Sequence, residues 1–230
     1  MEKDKLDNPS WYSLSEVHQD FAVNYDDIKF YQPDYCPFGG FKNPDATEAG
    51  IDSYSLLTNT FFVIGNQPAF SSKVQLENEL LCNQMILDKR IAIEADEHIT
   101  ELTTDNHKAD LLNLVNLVQP GYFRARTSDL GKYYGIYKDD RLVAVAGERM
   151  KMNGYTELSA IVTHPAHTSK GYAKQLITHA SQAVFNEGKT PYLHVTDNNA
   201  GAIRLYEKLG FRTRRIISFW HFTALQKLMP

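Results

Sequence analysis

The chain has 230 residues, 43% of them hydrophobic and 23% charged, with a formal net charge of −4. That profile belongs to an ordinary globular protein with core enough for one large domain or two small ones, and it excludes disordered and collagen-like classes. No apolar run approaches the roughly 18 residues of a membrane-spanning helix, and the charged start Met1-Glu2-Lys3-Asp4-Lys5 leads into no signal-peptide core. Cys36 and Cys82 are the two cysteines; without a metal-ligand pattern they read as reduced thiols of a cytoplasmic protein. The charge is uneven. Residues 1–98 hold 7 Lys/Arg against 17 Asp/Glu, a net of −10, and residues 99–230 hold 17 against 11, a net of +6. Such a split suits an anionic ligand in the second half and a cationic one near the first, or simply two solvated faces.

In chain order, Ser13 to Val23 has near-helical apolar spacing at Leu14, Val17, Phe21 and Ala22. Tyr31 to Phe41, rich in Pro, Gly and aromatics, reads as irregular. Pro44 to Leu57 reads as a helix with Asn43 as its cap. Phe61 to Ile64 is a buried strand, and Gln84 to Leu87 and Arg90 to Glu94 are strand-like. A boundary is expected at Ala95–Glu101.

Thr103-Thr104-Asp105 then offers caps for a helix with the stripe Leu111, Leu112, Leu114, Val115 and Val118, stopped by Pro120-Gly121. Lys132 to Tyr137 and Leu142 to Gly147 are strands about a turn at Lys138–Arg141. Asn153-Gly154 marks a tight hairpin into the strand Tyr155 to Thr163. A helix from near Lys170 buries Ala173, Leu176, Ile177, Ala180 and Val184. Thr190 to Thr196 is a strand, Asn199 to Gly210 a helix, and Phe211 to Phe222 strand-like in two pieces. Helix, three antiparallel strands, helix, strand, helix, strand makes a mixed α+β layer structure around one central sheet.

The loop after Thr163 and its helix form a strand-loop-helix unit whose free backbone N–H groups can hold a diphosphate. Gly171 allows close backbone approach and Ala173 keeps the first turn narrow. If Asn153-Gly154 is a two-residue turn, Met152 pairs with Tyr155, Met150 with Glu157 and Glu148 with Ser159. Both carboxylates then share a face as diagonal neighbours roughly 7–8 Å apart, with pKa values pushed apart. His164 and His167 have no Cys or third His nearby, so no metal is expected. The basic set Arg204, Lys208, Arg212, Arg214 and Arg215 lacks a stacking-aromatic pattern and reads as a solvated face, not a nucleic-acid site.

Four segments, Ala146-Gly147-Glu148-Arg149-Met150, Thr163-His164-Pro165, Gly171-Tyr172-Ala173 and Asn199-x-x-Ala202-Ile203-x-Leu205-Tyr206-Glu207-Lys208-Leu209-Gly210-Phe211, together resemble the GNAT superfamily of N-acyltransferases, most closely its FR47-like branch. The resemblance covers roughly residues 100–222. It implies an α+β fold with a mixed, mostly antiparallel central sheet flanked by helices. Residues 98–230 would be the acyltransferase domain, and residues 1–97 a smaller, divergent α/β lobe similar to the degenerate half of two-lobed members.

The same resemblance implies acetyl-CoA as cosubstrate, with no metal. Ile161, Val162 and Thr163 would run beside the pantetheine arm and supply an oxyanion-stabilising N–H. Thr168, Ser169, Lys170, Gly171, Tyr172 and Ala173 would form the diphosphate loop. Thr168 departs from the family's Gln/Arg, which matters less where backbone groups do the binding. Asn199 and Ala202 would complete the cofactor site. Glu157 is the implied base, Glu148 its rival, and Tyr206 the acid that protonates the departing thiolate. Phe123 and Arg126 fall where the family's acceptor loop lies. The expected activity is direct acetyl transfer to a small-molecule or peptide amine, with no membrane or nucleic-acid partner and the oligomeric state, including a dimer, left open. The alternatives are a non-catalytic acyl-CoA or partner-binding module, or a transferase for a longer acyl group.

Overall fold

The computed structural model describes residues 5–91 and 96–225. All the strands join one eleven-stranded sheet. In chain order the elements are α1 (Pro9–Ser15), β1 (Ala22–Tyr25), β2 (Ile28–Tyr31), β3 (Phe38–Phe41), α2 (Glu48–Tyr54), β4 (Thr60–Ile64), β5 (Val74–Ile86) and β6 (Thr100–Glu101). They continue with α3 (Asp105–Val118), β7 (Tyr133–Lys138), β8 (Arg141–Met152), β9 (Tyr155–Thr163), α4 (Tyr172–Asn186), β10 (Thr190–Thr196), α5 (Ala200–Lys208) and β11 (Arg212–Ala224). The strands lie in the order β1-β2-β3-β4-β11-β5-β10-β9-β8-β7-β6. Pairing is antiparallel except for β9–β10 and β3–β4. The expected mixed, mostly antiparallel sheet with flanking helices is therefore present.

The second half follows the sequence closely. Thr104 caps α3 by accepting from the His107 N–H at 3.2 Å, and Leu111, Leu114 and Val115 are its buried stripe. α4 buries Leu176, Ile177, Ala180 and Val184 against Leu158, Leu193 and Val143 of the sheet.

The first half differs more. The helix expected at Ser13–Val23 lies earlier, at Pro9–Ser15, where Pro9 in the first turn presets the helical φ. Ala22 and Val23 instead begin the β1–β2 hairpin. The stretch expected to be irregular, Tyr31 to Phe41, holds the last residue of β2 and all of β3. A Cβ on Gly39 would sit 2.3 Å from the Phe30 ring, and one on Gly40 2.5 Å from the Trp11 backbone nitrogen. Those glycines belong to a close-packed strand, not an irregular segment. The Arg90–Glu94 run falls largely on residues 92–95, outside the described residues; Arg90 and Ile91 are not in a strand. β11 is one strand with irregular register between Thr213 and Arg215 and between His221 and Phe222.

β5 ties the two halves of the chain together. Its thirteen residues pair with β10 on one side, up to Cys82–Thr196, and with β11 along the other. A strand from the first half thus lies between two strands of the second, and the sheet is continuous across the boundary expected at 97/98. Charge follows the same seam. Asp7 receives hydrogen bonds from Arg214 (2.7 Å) and Arg215 (3.0 Å), and Asp88 from Arg212 (2.6 Å), so acids of the first half meet the basic set of the second. Among the described residues no helix is long and apolar enough to cross a membrane.

Candidate functional site

β9 and β10 pair from Tyr155–Thr190 to Leu158–Leu193, where their ladder ends. Beyond it β9 stays with β8 and β10 stays with β5, and the gap between them is a cleft of about 190 Å³. β9 carries an extra residue here, between Ser159 and Val162, with Ala160 at φ +50°. Such a bulge takes backbone groups out of the ladder and leaves them for other partners. Ser159, Ala160 and Ile161 line this side, together with Asn199, Ala202 and Tyr206 of α5. The Asn199 side chain accepts from the Ala202 N–H at 3.1 Å, capping α5. Burial pushes the Tyr206 phenol up to about 12. Val162, by contrast, is buried among residues that include Leu111 and Val115 of α3.

The loop leaving β9 turns into α4 through Ser169 (φ +63°) and Gly171 (φ +78°). Gly171 occupies the cap position with no side-chain cap on the helix, and an added Cβ there would meet nothing within 4 Å. Its need for glycine is conformational, and no side chain caps the first N–H groups of α4. Thr168 bonds back to the Pro165 carbonyl at 3.3 Å, and His164 Nδ1 accepts from the Ala166 N–H at 3.2 Å. Both contacts hold the turn. Among the described residues no group of three or more His, Cys, Asp or Glu could hold a metal.

The opposite wall comes largely from elsewhere in the chain. Phe38 of β3, Leu80 and Cys82 of β5, Phe219 of β11 and Tyr122 and Phe123 after α3 line it, with Arg149 and His194 beside them. Arg149 stacks over the Phe38 ring at 4.4 Å and grips Glu157 with two hydrogen bonds of 2.8 Å from Nε and Nη2. Glu157 also accepts from the Met150 N–H at 3.3 Å and from His194 Nδ1 at 2.8 Å. Gln84 Nε2 donates to His194 Nε2 at 3.1 Å, which fixes the ring as its neutral Nδ1–H tautomer. His194 is not among the residues that the sequence brings forward, because a lone His in a strand carries no signal.

Three expectations are corrected. The Asn153-Gly154 turn pairs Met152 with Tyr155, but an extra residue in β8 between Glu148 and Lys151 then shifts the register. Glu148 lies opposite Leu158, not Ser159, and a slip of one residue exchanges faces. Its carboxylate takes hydrogen bonds from the Lys132 N–H (3.2 Å) and Lys151 Nζ (2.7 Å), away from the cleft, so the two glutamates do not form a coupled pair there.

Glu157, fully buried, does not line the cleft either. Burial alone would raise its pKa, but the Arg149 charge and hydrogen bonds, with those of His194, bring it down to about 2. A carboxylate held that far below neutrality is a weak base. Finally, Phe123 lines the cleft while Arg126 does not: its guanidinium stacks 4.2 Å over Tyr35 and bonds Asp129 at 3.3 Å.

A strand divergence beside an uncapped helix N-terminus invites comparison with known proteins. Residues 133–220 match the family model of the FR47-like proteins. The whole fold is similar to a protein of the GNAT family from Novosphingobium aromaticivorans, with a TM-score of 0.88 and 29% identity over 97% of this chain and 100% of that one. Residues 133–220 are thus similar to the FR47-like proteins, and the fold of the whole chain is similar to that of a GNAT acetyltransferase. A GCN5-related N-acetyltransferase from Kribbella flavida shares the GNAT fold at a TM-score of 0.62 and 13% identity, over 95% of each chain. A GCN5-related N-acetyltransferase-like protein from Streptococcus suis does so at 0.63 and 14%, over 93% of each. No curated protein matches the chain. These likenesses span both halves, so the GNAT-fold resemblance extends through β5 and the aromatic wall.

Proposed function

We propose that this protein transfers an acetyl group from acetyl-CoA to a primary amine in one direct step. The divergence of β9 from β10, with Tyr206 on its rim, is the observation that carries the reading. The uncapped first turn of α4, open above Gly171, fits the diphosphate, and Ser159 to Ile161 fit the pantetheine arm. When bound, the coenzyme supplies an activated acyl group as its thioester. The small cleft favours a short acyl chain.

The amine nitrogen attacks the thioester carbonyl, the C–N bond forms, the C–S bond breaks, and Tyr206 Oη gives a proton to sulfur and regains one from water. A buried phenol with a raised pKa keeps its proton until a thiolate needs it. Cys82 lines the cleft, yet burial pushes its thiol up to about 12, which supports direct transfer over an acyl-cysteine intermediate. Glu157 and His194 act by fixing Arg149 and the cleft wall. Both ring nitrogens of His194 are engaged, so the amine loses its proton to water.

Tyr206→Phe tests this directly. Its kcat is expected to fall roughly tenfold to a hundredfold, with the affinity for acetyl-CoA unchanged by calorimetry. An unchanged kcat and pH profile would remove Tyr206 from the chemistry. A second reading, a non-catalytic acyl-CoA binder, is favoured by one observation: among the described residues no carboxylate lines the cleft. Binding of acetyl-CoA without thiol release on any amine would select it.

A further inference from the structure

The wall facing the cofactor side carries chemistry that speaks to the acceptor. Of the described residues lining the cleft, Arg149 is the one Lys, Arg, Asp or Glu. Its Nε and Nη2 are taken by Glu157, a side-on pairing that leaves the far edge of the guanidinium over. Among the described residues Nη1 has no hydrogen-bond partner, and the side chain keeps 13% of its surface exposed. An arginine so placed still offers a planar donor edge that matches a second carboxylate. Aromatic rings frame it. Phe38 lies under the guanidinium, Phe219 is 5.6 Å from Phe38, and Tyr122 is 6.5 Å from it, centroid to centroid.

We propose that the acceptor is a small primary amine that also bears a carboxylate and an aromatic or large apolar group, the chemistry of an aromatic α-amino acid. Its carboxylate meets the Nη1 edge of Arg149, and its side chain packs among Phe38, Tyr122 and Phe219. The proposal rests on the acetyltransferase reading and narrows it. Polyamines and other polycations are excluded by the same wall, which offers them a guanidinium and no carboxylate.

The test is calorimetric titration of the wild-type protein, with and without saturating coenzyme A, by L-phenylalanine, its methyl ester, phenethylamine and spermidine. L-phenylalanine is expected to bind at least tenfold more tightly than the ester or phenethylamine, and spermidine most weakly. In Arg149→Lys, which keeps the charge and loses the fork, that gap should shrink to under threefold. Equal or tighter binding of the ester, phenethylamine or spermidine by the wild type overturns the proposal, as does failure of L-phenylalanine to bind. The wild-type series decides the matter even if the variant does not fold. Failure of coenzyme A to bind is a separate result, which sinks the acetyltransferase reading instead.

Discussion

The two walls of the cleft are built on opposite principles. The wall beside α4 and α5 is mostly backbone: the bulged strand Ser159–Ile161, the open first turn of α4, and a single phenol at Tyr206. The wall beside β5 is mostly side chain: a buried ion pair, a fixed imidazole and four aromatic rings, gathered from β3, β8, β9, β10, β11 and the segment after α3. Backbone recognition tolerates changes of sequence, whereas a desolvated side-chain network fails when one member is removed.

The largest expected effect therefore lies on the side-chain wall. Arg149→Ala leaves the Glu157 carboxylate buried without its countercharge, and loss of one partner of such a pair costs about 3–5 kcal/mol. Urea denaturation should record that loss. Replacing both residues together with apolar ones of similar size should cost less than either single change, because no charge is stranded. If the single variant unfolded at the wild-type midpoint, the wall would not be the desolvated network described.

Acid should separate this wall from the junction between the halves. Burial works to raise the Glu157 pKa, but the Arg149 charge outweighs it and brings the group from 4.5 down to about 2. Its contribution, about 3 kcal/mol at 1.36 kcal/mol per unit, is complete above pH 4.5 and lost as pH falls toward 2. His18 titrates earlier. Buried against Leu130, Ser13 and Tyr31, it is brought from 6.5 down to about 4 by desolvation. The unfolded chain binds that proton first, so stability falls as pH drops from 6.5 to 4, again by about 3 kcal/mol. Stability measured against pH should show both windows. His18→Asn should flatten the upper one and leave the lower, and an unflattened upper window would assign it to another group.

The same contrast explains what is legible in the sequence. The backbone wall rests on local signals: a hairpin dipeptide, a helix-capping threonine, a glycine before α4 and an amphipathic α5, each readable within a dozen residues. Tyr206 and Asn199 line the cleft, and Gly171 stands at the start of α4. The other wall depends on long-range pairings. β5 enters between β10 and β11 from more than a hundred residues away, and its polar run Glu77-Asn78-Glu79 breaks the apolar alternation begun at Val74 and Leu76 that would announce a strand. The Gly39-Gly40 pair reads as part of an irregular segment because the neighbours that require it, the Phe30 ring and the α1 backbone, are invisible in one dimension. The bulge after Glu148 is the sharpest case. One extra residue moves a carboxylate from the cleft to the opposite face, and nothing in Glu148-Arg149-Met150-Lys151 marks it.

The smallest expected effects belong to the backbone wall, and they test whether it is backbone that matters. Gly171 has φ +78° with empty space around the missing Cβ, so Gly171→Ala introduces no clash, only a left-handed conformation costing about 1–2 kcal/mol. The strain is relieved if the loop relaxes, which would turn the first N–H groups of α4 away from a bound diphosphate. Calorimetry with acetyl-CoA should then show affinity reduced by roughly tenfold, the equivalent of 1.4 kcal/mol. Thr168→Ala removes only a 3.3 Å hydrogen bond to the Pro165 carbonyl and should change affinity by less than about threefold. That result would mean that the departure of Thr168 from the family's Gln/Arg costs little, as expected where a helix terminus and not a side chain holds the phosphate. Should Thr168→Ala weaken binding more than Gly171→Ala, side chains would govern this wall as well, and the difference between the two walls would disappear.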